Sequence, residues 1–538
     1  MTDTFAWGIL LALVIYTLFL IGLATRGSHK HVRGEAFLHG GRRFGFSHVF
    51  ILVTVMWASS IFVVELETGF LSGISAIWFG LSVILMSILV AAFILPPFQR
   101  VGYVTNSRLI GQRFGKAAQR FSAAVIALTF PIFAMSNVLA AAEFLHAMLG
   151  WNLAVTLVIS TIAMLLYVGQ NGMWSLVYTQ CVNLLMLTVG IIVATIYFLR
   201  IPASHLHTVP VHGFYSIGGV GIGTIAVWVI MNILNTVSAQ AEMQAIAAVE
   251  NPKRGQAAVY LSAVVLIAFT IIPVWLGMKT RELLPQAAKG LSAFPHALIQ
   301  IAPPWVVALV ALGVWAAALS WCAPLLFSGA SSFGADILGS FFRHKGEDSG
   351  SVRKMVDIRT LTRYGLIVQG ILVVLVALVR PDELAWWRVF GQTIRSAAIF
   401  APTIAFFIWP LATRRAVLTS MVTGVISSIL WNAATGFSAT NFLLAVNPMW
   451  IGLGVSTLVL VFVTVFEIGI HELRRSEHQG KAWLLYAAAI LAFLMMAASW
   501  QQAPSLRGAL GCTGIVLLFI GFLTGTTKQD PSSSARIA

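Results

Sequence analysis

Charge is what this chain has least of: 9% of its 538 residues are charged, where soluble domains carry roughly 25%. That shortage excludes a soluble enzyme, a nucleic-acid-binding domain and a disordered scaffold. Acidic residues are the scarcer sign, 18 Asp+Glu against 33 Lys+Arg, which leaves a formal charge of +15 and a pI near 10.2. Only three cysteines occur, Cys181, Cys322 and Cys512. They are far apart within apolar runs, so they read as packing thiols and exclude a disulfide framework or a metal spacing. No Gly-x-Ser-x-Gly nucleophile turn and no His/Asp/Glu set at metal spacing is present, which argues against an enzyme and against a bound cofactor. What the chain has is apolar surface: 59% hydrophobic residues and a mean hydropathy of +0.89. The apolar runs are continuous for about 18 to 25 residues, one bilayer crossing each. Lipid admits only helices and closed barrels, and barrel strands alternate apolar with polar residues. The fold class expected is therefore an all-α polytopic membrane protein.

Fifteen apolar runs are expected to be spans: 7–25, 47–69, 75–95, 121–149, 153–169, 176–199, 222–245, 255–277, 305–334, 362–379, 389–410, 416–436, 449–468, 482–499 and 508–526. The first has no basic segment before it and a basic loop after it, so it reads as a span and not a signal peptide. An odd number puts the termini on opposite sides. The loops on the C-terminal side hold 25 Lys+Arg, and the opposite side holds seven. The positive-inside rule then places the N-terminus outside and the C-terminus in the cytoplasm, with the cytoplasmic (inner) membrane as the location. It also accounts for the basic excess without nucleic acid. The chain divides into a first helix and basic loop (1–46), a transport core (47–411), two further helices and a basic loop (412–481), an added helix pair (482–527) and a Ser-rich disordered tail (528–538).

Polar side chains within the membrane are costly, so each needs a partner or a task. The second run carries Ser59 and Ser60 mid-span, then Glu65 and Glu67, which read equally well as buried or as hydrated at the outer interface. The seventh run carries Asn232, Asn235, Thr236, Ser238, Gln240, Glu242 and Gln244, seven polar residues in thirteen. Interhelical hydrogen-bonding glue, at about 0.6 kcal/mol per pair, explains one or two of these, not a cluster. The two runs are five apart. A polar interruption in corresponding spans of two five-helix halves points to an inverted-repeat transporter whose broken helices meet at the midplane. In the ninth run Ser320, Ser328, Ser331 and Ser332, with Gly329 and Gly334, make a face of small residues and hydroxyl oxygens. Glu143 and His146 are spaced to interact on one helical face, or else lie in interfacial water. Arg395 sits inside the eleventh run, facing a cavity or pairing with a helix end.

At these residues the chain resembles the sodium:solute symporter family, whose fold is the leucine-transporter type. The resemblance is carried by Gly40-Gly41-Arg42, by Leu95-Pro96 with Arg100, Tyr103-Val-Thr105 and Arg113-Phe-Gly115, and by 172–180 with Thr179-Gln180. It continues in Gln240 to Ala248 before a basic loop, and in Ala316 through Ser320 to Ser332 and Asp336. It covers about residues 35 to 470 and implies a 5+5 core with broken helices, one N-terminal helix and about four C-terminal ones.

The resemblance implies a symporter of a small polar organic solute, moved by alternating access and coupled to Na+ or, less favoured, H+. It places a cation at the backbone carbonyls of Thr54, Trp57 and Ala317 and the hydroxyl of Ser320. The next residue, usually Ser or Thr, is Trp321, whose indole has no oxygen to ligate with. Gln180 stands where a carboxylate is usual, so Gln180, Trp321, Glu65 and Glu67 are assigned to coupling or gating. Ser59, Ser60, Asn235, Gln240 and Glu242 are assigned to the solute. The acidic side chains favour a cationic or zwitterionic solute, and Arg395 argues the other way. The expected partners are solute, coupling cation and lipid bilayer, with no nucleic acid, and the protein acts as a monomer or homo-oligomer. The alternatives are a non-transporting sensor or subunit derived from a transporter, and an uncoupled or H+-coupled transporter.

Overall fold

The structure, a computed structural model, describes residues 3–28, 42–102, 104–169, 173–339, 358–379, 384–438, 442–501 and 504–528. Gly40, Gly41, Tyr103, Gly172, most of the 335–361 loop and nearly all of the tail lie outside them. The fifteen apolar runs fall largely on helix, with the run 222–245 interrupted at 236–239, as a chain that must satisfy its backbone inside lipid requires. Eleven of the described helical stretches are long and apolar enough to cross a membrane, or twelve if the interrupted pair Ile222–Asn235 and Gln240–Ala247 is one span. The count falls below fifteen partly because Phe46–Arg100 registers as one stretch of 55 residues. At ~1.5 Å per residue it is long enough for two crossings of a ~30 Å core. Leu153–Gly169 is shorter, at 17 residues.

Contacts divide the chain into two compact units. The first comprises 1–104, 130–221 and 239–384. Its helices are α1 (Asp3–Ser28), α2 (Phe46–Ser72), α3 (Ile77–Leu89), the later part of α5 (Lys116–Leu149), α6 (Leu153–Gly169) and α7 (Met173–Leu199). The rest are α9 (Gln240–Ala247), α10 (Pro252–Leu283), α11 (Gly290–Ile301), α12 (Pro304–Ser331) and α13 (Ile358–Val379). α2 packs along α10, and α12 along α7. Small residues let these backbones close: a Cβ on Gly277 would stand 2.3 Å from the Leu66 carbonyl oxygen, and one on Gly69 2.6 Å from that of Val274. The turn from α2 into α3 is made at Gly73, at φ +72°, where a Cβ would overlap the Phe214 carbonyl oxygen that Ile74 N–H bonds at 3.0 Å. Only glycine fits that position.

The second unit comprises 105–129, 222–238 and 385–538. It holds α4 (Asn106–Phe114), the start of α5, α8 (Ile222–Asn235), most of α14 (Leu384–Ile408), α15 (Arg414–Ala434), α16 (Pro448–Ile468), α17 (Gln479–Ala498) and α18 (Arg507–Gly525). α15 pairs with α16 and α17 with α18. Two short strands, β1 (Leu473–Arg475) and β2 (Thr526–Lys528), pair antiparallel. The Arg113-Phe-Gly115 motif has a plain physical role here. The Arg113 guanidinium donates to the carbonyls of Ala405 (2.7 Å), Phe406 (3.0 Å) and Trp409 (2.5 Å) at the end of α14, where Pro410 has no N–H to offer the Phe406 carbonyl. Phe114 is buried beside it, and Gly115 turns the chain at φ +90°.

Candidate functional site

The polar cluster of the seventh run coincides with a break in the helix. α8 stops at Asn235 and α9 starts at Gln240, with Ala239 at φ −75°, ψ 64° between them. Local side chains take up the released backbone groups. Thr236 Oγ1 donates to the Ile233 carbonyl (2.7 Å), Ser238 Oγ to Asn235 Oδ1 (3.1 Å), and Asn106 Nδ2 to the Val237 carbonyl (3.2 Å). All eight residues of α9 are buried. Its far end is clamped by a parallel bridge: Phe44 N–H donates to the Ala248 carbonyl and Glu250 N–H to that of Phe44, both at 3.0 Å.

α9 then directs its polar side chains. Gln240 Nε2 donates to Ser328 Oγ (2.8 Å) and Ser332 Oγ (2.9 Å), with the Ser328 carbonyl at 3.3 Å. Its amide therefore ties α9 to α12 and the π-helical turn after it. Glu242, 1% exposed, accepts from Ser87 Oγ at 3.2 Å through Oε1, while Oε2 has no hydrogen-bond partner. The Trp57 indole lies beside the same carboxyl. Gln244 Nε2 donates to the Val104 carbonyl at 3.1 Å. A small cavity borders α9, lined by Met56, Gln180, Ala241, Gln244, Pro324 and Phe327 among others.

The second run differs from expectation. α2 runs unbroken from Phe46 to Ser72, so only one of the two expected breaks is present. The segment 46–68 holds neither Gly nor Pro, and a serine pair alone does not open a helix that is buried on most sides. The carbonyls of Thr54 and Trp57 thus stay in the helical ladder. Ser59 and Ser60 are fully buried; Ser59 Oγ has no partner, and its carbonyl accepts from Asn137 Nδ2 at 3.0 Å. Thr54 Oγ1 donates to Ser262 Oγ at 2.8 Å. Of the two readings of Glu65, burial holds: it is 0% exposed, and its Oε1 accepts from Gly80 N–H at 2.7 Å. Glu67 lies further out, where its Oε2 accepts from Leu291 N–H at 2.7 Å at the start of α11. Glu143 is 6% exposed and faces Lys289, His146 and His296, so the pair with His146 is part of a larger charged group.

On α12 the residues transferred for the cation are all buried. Ser320 Oγ donates to the Ala316 carbonyl (2.7 Å), which leaves its oxygen lone pairs for another partner. The Ser320 carbonyl accepts from Gln180 Nε2 at 2.9 Å. Gln180 is in turn held by Asn183 Nδ2 (3.2 Å), and Asn183 by the Tyr16 hydroxyl (2.7 Å). An amide donor thus stands where the family has a carboxylate. The Trp321 indole N–H donates to the Phe133 carbonyl (2.8 Å), and its ring lies 5.4 Å from that of Trp57.

Asn235 and Arg395 belong to the second unit. Arg395, 3% exposed, donates to Asn235 Oδ1 (2.7 Å) and Gln392 Oε1 (2.5 Å). Its charge is buried, and Asn235, one of its two partners, is the last residue of α8. Sequence reasoning missed Ser87, Asn137, Ser262 and Asn183. Lone polar residues in otherwise apolar runs were their only signal, and Asn137 and Asn183 were visible as such.

Long apolar helices, one of them interrupted where buried polar side chains gather, are an architecture suited to a membrane transporter. The Sodium:solute symporter family matches residues 37–424, well over half the chain, and the protein belongs to that family. With membership goes symport of a solute coupled to sodium. No curated protein matches the chain. Among solved structures it resembles one described as the substrate-bound outward-open state of a Na+-coupled sialic acid symporter. The identity is 16% and the TM-score 0.67, over 86% of this chain and 97% of that one. At that identity the likeness shows the fold. A manganese transporter of Eremococcus coleocola is similar at 13% identity and a TM-score of 0.44, over 80% and 94% of the two chains, too loose a likeness to bear on the site.

Proposed function

We propose that the protein couples inward Na+ flow to uptake of a small polar organic solute across the cytoplasmic membrane by alternating access, with residues 47–411 as the transport core. The reading rests on one observation above the rest: the helix interrupted after Asn235 resumes with wholly buried Gln240 and Glu242. Buried polar groups at a helix break are where inverted-repeat transporters bind their cargo. Glu242, Ser59 and Ser60 are the solute-facing residues, and Gln240 holds α9 in place for them. Na+ sits at Ser320 Oγ with backbone oxygens of Thr54, Trp57 and Ala317. Trp321 contributes no oxygen, so water completes the shell and affinity is modest. The N-terminus is outside and the C-terminus cytoplasmic, in keeping with the split of 25 basic residues against seven.

The test is uptake into proteoliposomes from a panel of polar solutes, under an inward Na+ gradient alone and then a pH gradient alone. Accumulation above equilibrium under the Na+ gradient, abolished by a sodium ionophore, is the expected result. Accumulation that ignores Na+ and follows the pH gradient overturns the choice of ion. Equilibration without accumulation under both gradients overturns coupling.

A further inference from the structure

Glu242 is a carboxyl group inside the membrane domain with no group of opposite charge beside it among the described residues. Its surroundings are the Ser87 hydroxyl at 3.2 Å and the Trp57 indole, and its second oxygen has no hydrogen-bond partner at 1% exposure. An ionised carboxylate buried this way is costly unless a cation joins it. The aromatic surface beside it is the second, independent observation. The Trp57 and Trp321 rings stand 5.4 Å apart, inclined at 53°, with side chains 6% and 3% exposed. Trp faces attract cations through the ring quadrupole, more strongly once water is excluded.

We propose that the transported solute carries a cationic nitrogen, and that Glu242, with the Trp57 indole beside it, is the seat of that group. The inference rests on the reading of α9 as part of the solute site. An organic ammonium suits these walls better than a metal cation does. Na+, a hard cation, needs several oxygen ligands, and this seat offers a carboxylate and one hydroxyl already donating to it. An indole N–H is a donor only. A quaternary ammonium instead presents carbon-bound, weakly hydrated surface to the ring and its charge to the carboxylate, and a primary ammonium offers the carboxylate its N–H donors. Entry of the cation supplies the counter-charge that Glu242 lacks, so binding and neutralisation of the buried carboxylate are one event.

The experiment uses the full-length protein purified in detergent with NaCl present. Its thermal unfolding is followed with four probes at millimolar concentration: choline, ethanolamine, glucose and succinate. A ligand that binds only the folded state raises the transition temperature. Choline or ethanolamine is expected to raise it, and glucose and succinate are not. Glu242→Gln keeps the shape of the side chain and its bond to Ser87. It should weaken ammonium binding roughly thirtyfold or more, the loss typical when one partner of a buried charge pair is removed. Ser87→Ala removes the hydroxyl but keeps the charge, and should retain ammonium binding, which a merely structural role for the pair would not predict. Stabilisation by glucose or succinate that survives Glu242→Gln overturns the cationic solute and leaves the symporter reading standing. Ammonium binding unchanged in Glu242→Gln overturns the assigned seat. If none of the four probes stabilises the protein and none is accumulated under a Na+ gradient, the cationic solute is overturned. Na+-driven accumulation of any other solute then keeps the broader reading separate.

Discussion

Gln240→Leu separates a tie from a solute ligand. The Gln240 amide has two N–H groups, and the two best acceptors, Ser328 Oγ at 2.8 Å and Ser332 Oγ at 2.9 Å, take one each. Side-chain bonds inside membrane proteins average about 0.6 kcal/mol, and buried ones reach roughly 1.5 kcal/mol. Both serines lie on helical backbone and can turn their hydroxyls to their own helix, as Ser331 does to the Phe327 carbonyl at 2.7 Å. That recovery trims the loss to about 1–2 kcal/mol, which is a factor of roughly 5 to 30 in the population of undocked α9. Leucine matches glutamine closely in volume, so cavity terms stay small. The assay is thiol labelling of Ala245→Cys in membranes, in a background where exposed Cys181 is replaced by serine. Gln240→Leu should raise the labelling rate by that factor without changing which solutes are taken up. An unchanged labelling rate together with a raised KM for solute would refute the tie and return Gln240 to the solute.

Ser320→Ala removes one oxygen from the proposed cation shell, and the Na+ concentration for half-maximal uptake should rise roughly two- to tenfold, read from uptake against external Na+. Glu67→Ala leaves the N–H of Leu291 without its acceptor. With the helix-dipole contribution, about 1–2 kcal/mol of α11 docking is lost, so hydrogen exchange along Gly290–Ile301 should accelerate while α12 stays protected. Arg113→Met removes the guanidinium from three carbonyls at the end of α14, of which Ala405 and Trp409 keep a backbone donor and Phe406 does not. The expected loss is about 2–4 kcal/mol, seen as a lower unfolding temperature. Lysine at this position should restore only part of it, because a point charge cannot reproduce the guanidinium fork.

What was legible in the sequence follows from what lipid enforces. A span must be long, apolar and helical, so apolar runs locate most of the long helices without knowledge of their neighbours, while the number that cross was not fixed by the runs. The break after Asn235 was legible for the same reason, since a cluster of seven polar residues has no place on a lipid-facing helix. Direction was not legible. Composition says that Gln240 and Glu242 are inside, but their positions differ by two residues, which rotates them to different neighbours. Gln240 thereby meets Ser328 and Ser332, and Glu242 meets Ser87 and Trp57. The second run misled in the opposite sense. Ser59 and Ser60 suggested a break, yet α2 stays helical: it packs along α10, and Asn137 bonds the Ser59 carbonyl while the Ser59 hydroxyl is left without a partner.

Trp321 shows how far a local departure can be understood only in three dimensions. In sequence it is a lost oxygen. In the fold its indole N–H closes on the Phe133 carbonyl, 188 residues away, and its ring meets Trp57. Neighbouring Gln180 holds the Ser320 carbonyl. The two departures from the family therefore act on adjacent parts of one region. Gln180 replaces a charge by a neutral donor on the cation side. Trp321 packs an aromatic ring against Trp57, whose indole lies beside Glu242. On the reading of an ammonium solute, these two exchanges remove oxygen ligands for Na+ close to the carboxylate that seats the organic cation.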